Sequence, residues 1–497
     1  LRKGLPLNVK RKDLFALVAL TVPAMCARAH AFGERYDLPV PMSWVIAAGC
    51  LVLVLTFLVT VFWPTPKTGQ SLSHSPSKEK IPTNHPDPFQ SLQQGVFGGL
   101  AIFFLLLCIL CAKFGTQDPL MNFAPTFIWI IWWLGTSFGV VLFGNFWPLI
   151  NPWHAIDTVI HSANMRPPLV YPMGLGQWPA VIALLCWCAL EVVYPIASMP
   201  ERLSWWIIAY TSYMLLGMSL FGQEVWSRCA DGFSVYFELL SGPTKQKSIP
   251  SQTLQPEPNP SVQWSQVSFV IAMFASVLFD GLHASQMWPP LEARVMRWGI
   301  LSHDANGYQL GVLELICVWA FFVFAYAASC ALACAWLKHK AKELDFKISV
   351  NTVDLANHFS LSLIPIAVAY LLAHNFSTFF IQAQSIIALS SDPFGWQWNL
   401  FGTARFEVDV SVIDAKLTWY VATLSIVLGH MVSIVKSHRA AQLYLESLKF
   451  ERNDSIENLN SQTLNVKAWK LNIPLTLLMM AFTALSLSII AEPLANG

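Results

Sequence analysis

Apolar runs long enough to cross a bilayer recur along this chain, separated by polar stretches. A hydrocarbon core near 30 Å takes about 20 apolar residues in a helix. That ruler finds ten candidate spans, at residues 42–63, 96–113, 125–144, 178–197, 204–222, 266–288, 310–337, 357–389, 415–436 and 470–491. Tryptophans such as Trp44, Trp63, Trp147, Trp178, Trp264, Trp336 and Trp469 mark their ends, as expected where an amphipathic ring sits at headgroup level. The pattern predicts an all-α fold, a polytopic transmembrane helix bundle of about ten spans. One run breaks the rule: residues 358–384 begin as a membrane helix, meet His374 and turn polar without a stop signal.

Upstream of the first span, residues 1–29 have the three-part form of a signal peptide. Basic residues between Arg2 and Lys12 precede the apolar "LFALVALTVPAM" and the small-residue stretch "ARAHA". Cleavage after Ala29 or Ala31, or retention as a further span, leaves the following segment on the outside. Residues 30–497 then form a single integral membrane domain. Two connections, near 64–95 and 242–263, are rich in Pro, Ser, Gln and Lys and are expected to be disordered linkers.

Composition agrees: 55% of the residues are hydrophobic and only 12% charged, too apolar over 497 residues for a soluble protein. Most of the ten cysteines fall inside apolar runs and read as small hydrophobes, including the Cys108/Cys111 pair in "FFLLLCILCAKF". The net charge of +1 hides an uneven distribution. The connections assigned inside carry 17 Lys and Arg, those outside seven, and the remaining six precede residue 29. This positive-inside pattern predicts a multi-pass membrane protein with both mature termini outside. No basic patch with interleaved aromatics occurs, so the expected partners are the lipid bilayer and an apolar small molecule, not nucleic acid.

Ionisable residues inside spans cost several kcal/mol unless they face the bundle interior, so each is a functional candidate. Asp280 and His283 lie in the outer third of the sixth span, on one helix face at i and i+3. His374 sits roughly 25 Å from the inner end of its span at 1.5 Å per residue, at the same depth. Glu191 and Glu314 are at similar depth. The expectation is an outer-leaflet polar cavity holding Asp280, His283 and His374, with Glu314 as a weaker member. These residues would serve as ligands of a divalent metal, as a general base, or as structural hydrogen bonds between helices. His154, His358, His430 and His438 form a second layer near the inner ends. The loop "SSDPFGWQWNLFGTARFEVDV", with Asp392, Trp396 and Trp398, is expected either to lie over the cavity as a substrate lid or to anchor at the interface.

The stretches "HAFGERYDLPVP" (30–41), "NFWPLINPWHAI" (145–156), "VLFDGL" (277–282), "SLIPIAVAYLLAHN" (362–375), "SDPFGWQWNLFGTA" (391–404) and "IVLGHM" (426–431) resemble the bacterial multi-pass membrane proteins known as fenitrothion hydrolases. The resemblance runs over most of the chain from residue 30, apart from the two linkers. It implies hydrolysis of organophosphorus triesters at the membrane, and brings no catalytic residues with it. None of the standard hydrolase signatures, such as HExxH, is present. The alternative expectation is a non-enzymatic transporter or metal-handling membrane protein whose polar residues line a path joining the outer and inner histidine layers.

Overall fold

The computed structural model describes residues 41–62, 88–161, 167–194, 196–242, 260–286, 288–297, 307–343, 346–448, 451–452 and 467–491. The segment expected to be a signal peptide and most of the two expected linkers lie outside the described residues. The chain is an all-α polytopic bundle, built among the described residues from ten principal helices: α1 (Met42–Phe62), α2 (Pro88–Phe114), α3 (Phe123–Phe143), α4 (Trp178–Val193), α5 (Pro200–Phe221), α6 (Pro260–His283), α7 (Gly307–Glu343), α8 (Thr352–Gln382), α9 (Ala415–Ser447) and α10 (Ala468–Ala491). Nine of these are long and apolar enough to cross a membrane.

The tenth is shorter than the run 178–197 predicts. Helix α4 stops at Val193, and at 1.5 Å per residue its length is roughly 24 Å, less than a hydrocarbon core. Its last turn widens into a π-helix over Ala189–Val193, and α3 has a longer π segment over Phe127–Gly135. Such π-bulges inside α-helices turn side chains out of the regular register and are frequent at functional sites.

Side-chain caps and glycines set several ends. Asn122, Asn351 and Asp414 accept hydrogen bonds from the first-turn N–H groups of α3, α8 and α9. Gly144 and Gly222, at φ +85° and +88°, end α3 and α5 in the left-handed region that suits glycine. In α8 the chain tightens to a 3-10 turn at Leu361–Leu363, just before Pro365.

Helices α6 and α8 form the centre. In their most apolar windows 72% and 67% of residues are buried, against 11% in α1 and 22% in α7. The outer helices turn leucine and phenylalanine, such as Leu55, Phe103, Phe324 and Leu424, away from the protein. In lipid such faces are already solvated, so close packing and interhelical polar contacts hold the bundle together. A close approach joins α8 and α9 at Gly429, where a methyl group would lie 2.4 Å from the Ala369 methyl and 2.8 Å from the Pro365 carbonyl.

Parts of two connections expected as inside loops instead fold back into the bundle. The short helices Trp147–Ile150 and Pro152–Ile160 precede α4, and Gln223–Cys229 and Gly232–Leu240 follow α5. Phe233 stacks edge-on against Trp132 in the middle of α3 and Trp187 in α4, with ring centroids 4.7 and 5.0 Å away. Nine residues of "GFSVYFELL" are too few to cross a bilayer, which is why hydropathy alone leaves this segment out.

The connections at one end of the bundle, between α2 and α3 and between α8 and α9, are bonded to each other. Thr116 N–H donates to the Phe394 carbonyl at 2.8 Å and Phe123 N–H to that of Pro393 at 3.1 Å. This end is called the loop face. At the opposite face, Phe346–Lys347 pairs antiparallel with Glu451–Arg452, joining the α7–α8 and α9–α10 connections.

Candidate functional site

Near the C-terminal end of α6, Asp280 projects toward α8 and meets His374 across 94 residues of sequence. The Nε2–Oδ2 distance is 2.6 Å, short even for a charge-assisted bond. Their side chains are 14% and 24% exposed, so the pair is largely withdrawn from the surroundings. Both residues line a pocket of about 30 Å³ with Ser276, Asn375, Tyr236 and Glu191. That volume holds one or two water molecules.

Glu191 enters the pocket from the π-turn of α4. Both its carboxylate oxygens lie 3.2 Å from the indole Nε1 of Trp133, which belongs to the π segment of α3. The two register shifts in neighbouring helices thus bring a donor and a carboxylate together at the pocket wall. Two carboxylates and an imidazole around a space large enough for one or two waters form an arrangement suited to holding and passing protons.

Among the residues expected from sequence, Asp280 and His374 meet and His283 does not join them at the pocket. The His283 ring lies 5.6 Å from that of Phe279, and His283 is not among the lining residues. Glu314, on α7, accepts a hydrogen bond from Trp288 Nε1 at 3.1 Å and is also absent from the lining. Among the described residues no three His, Cys, Asp or Glu side chains gather closely enough to hold a metal ion. The three-ligand metal set of His374, His283 and Asp280 is therefore not assembled among the described residues.

The loop with Asp392, Trp396 and Trp398 lines no part of this pocket. Asp392 instead organises its own turn, accepting from the N–H groups of Trp396 at 2.9 Å and Gln397 at 2.7 Å. Phe394 stacks on Trp396 at 4.5 Å and Trp398 packs edge-on beside them. Its backbone bonds to the α2–α3 connection fix the loop there, with Trp396 half exposed at the loop face.

On the other side of α4 lies a second, apolar space. A cleft of about 1190 Å³ opens between α2, α4 and α5, walled by Phe104, Trp132, Trp153, Trp187 and Tyr210. Beneath it Asp231 is fully buried, accepting from Tyr210 Oη at 2.7 Å, from Phe233 N–H at 3.0 Å and from the Ser234 hydroxyl. It caps the helix Gly232–Leu240, a sufficient structural reason for its burial. His154 nearby shares a 2.7 Å hydrogen bond with Ser227. Burial pushes its imidazole below the usual histidine range, against the pull of the Asp231 and Asp157 carboxylates.

No known protein-family profile, no curated protein and no solved structure matches the chain.

Proposed function

We propose that this chain is a multi-pass protein of a bacterial cytoplasmic membrane that moves protons, alone or coupled to a solute, and that the Asp280–His374 pair is its proton-handling centre. One observation carries the reading: a carboxylate and an imidazole 2.6 Å apart inside a helix bundle, beside free space of about 30 Å³. Such a space admits water and protons. A nitrophenyl triester, with roughly twenty heavy atoms, needs a pocket of about 300 Å³ or more. The uneven Lys and Arg distribution supports an orientation in which the loop face is extracytoplasmic and both mature termini lie on that side.

Hydrolysis of an organophosphorus triester is the second reading, favoured by the apolar cleft that backs onto the site across α4. In that chemistry His374 Nδ1 would take a proton from water as the water oxygen bonds to phosphorus, with Nε2–H held by Asp280. The aryl P–O bond breaks and nitrophenolate leaves, while Asp280 orients the imidazole. The apolar substrate would have to move from the cleft past the π-turn to reach that base.

Both readings are tested on one preparation. Purified protein in liposomes is assayed for proton entry with an internal pH dye, and for p-nitrophenol release from a nitrophenyl triester, beside His374→Ala. Proton entry lost in the variant with no nitrophenol release supports proton movement. Release that depends on His374 supports hydrolysis and overturns the first reading.

A further inference from the structure

Below the Asp280–His374 pair, α8, α9 and α10 bury polar side chains that no helix end or loop requires. They lie in sequence along the bundle axis. Tyr370, one turn from His374 on α8, is hydrogen-bonded through its hydroxyl to Ser486 of α10. The Tyr370 ring faces the imidazole of His430 on α9, with centroids 6.0 Å apart. His430 is wholly buried, and Nδ1 lies 2.8 Å from the Ile426 carbonyl, so Nδ1 carries the hydrogen and Nε2 keeps a lone pair. That Nε2 has no hydrogen-bond partner among the described residues.

The line continues toward the opposite face. Ser433, three residues on, donates to the Ser362 carbonyl. Ser437 accepts from Asn472 Nδ2 at 3.0 Å, and the Asn472 Oδ1 is a second buried atom without a partner among the described residues. His438 then reaches Gln442 at 3.1 Å, and its Nδ1 is a third. His430, Ser433 and Ser437 share one stripe of α9, each about one helical turn from the next.

Each buried polar atom without a partner costs about 1–3 kcal/mol, and a water at each removes that cost. Successive groups one turn apart are too far for direct hydrogen bonds and near enough for one water between them. We propose that this buried file is a proton path through the bundle, leading from Asp280–His374 to His438 at the opposite face, with His430 as its central relay. The path rests on the proton-handling reading of the pair and adds what that reading lacks, an exit. It also joins the two histidine layers that α8 and α9 hold at different depths.

Interhelical hydrogen bonding alone would account for the serines, but leaves an imidazole with an unmet lone pair where Leu or Phe would pack at no such cost. The test is proton entry into liposomes driven by a potassium–valinomycin potential. It compares wild type, His430→Leu, His430→Gln, Asp280→Asn and, as control, the lipid-facing Leu428→Ala. Loss of a proton-transfer group typically costs on the order of a hundredfold, and that loss is expected in both His430 variants while Leu428→Ala matches wild type. His430→Gln keeps the polarity of the site, so it carries the test if His430→Leu does not fold. Wild-type flux in the His430 variants with flux lost in Asp280→Asn would overturn the path and leave the pair's role standing. No flux in wild type would overturn both.

Discussion

Replacing Asp280 with Asn keeps the shape of the side chain and removes its charge, which isolates what the 2.6 Å contact to His374 contributes. A hydrogen bond to a charged group is worth about 1.5–3 kcal/mol and one between neutral groups about 0.5–1.5 kcal/mol, so the exchange costs roughly 1–1.5 kcal/mol. The 14% and 24% residual exposure of the two side chains puts the value well below that of a sealed pair. A double-mutant cycle with His374→Gln separates this contact from everything else the two residues touch. The assay is reversible unfolding in mixed micelles, followed by the fluorescence of the chain's 21 tryptophans. A coupling energy of about 1–2 kcal/mol is expected. Additivity within about 0.3–0.5 kcal/mol would mean that the two side chains do not meet in the folded protein, and the site would dissolve with them.

Two further predictions concern packing and pH. Gly429→Ala places a methyl 2.4 Å from that of Ala369, where about 3.5–4.0 Å is needed, so α8 and α9 must part by more than an ångström. A loss of about 1–3 kcal/mol in the same unfolding assay is expected, and wild-type stability would contradict the helix contact. His154 has a folded pKa below its unfolded value near 6.5, so between those values the unfolded chain binds the extra proton. Stability is therefore expected to fall as pH drops below about 6.5, and His154→Gln to flatten that slope. An unchanged slope in the variant would remove His154 as its source.

Hydropathy makes the helices legible because an unbroken apolar run of about twenty residues has few other uses. It misjudges α4, whose run continues to residue 197 while the helix ends at Val193, since a π-turn leaves no mark in composition. It also reads Gly232–Leu240 as part of a loop, because a segment that enters and returns need not be twenty residues long. Depth along a span is likewise readable, and it brings Asp280, His374 and Glu191 to one level. Direction around a helix is not. His283 shares that level and a helix face with Asp280, and Glu314 shares the level, yet their side chains meet Phe279 and Trp288 instead of the pocket. The attachment of the Asp392 loop to the α2–α3 connection is made by backbone groups, which every residue carries, so side-chain identity gives no sign of it.

Proton entry into liposomes under an imposed potential, wild type against Asp280→Asn at equal protein density, tests the central claim most directly. The account predicts steady proton entry through the wild type, reduced on the order of a hundredfold in the variant. Equal entry through both proteins would contradict it, because the carboxylate that holds His374 would then have no part in moving protons.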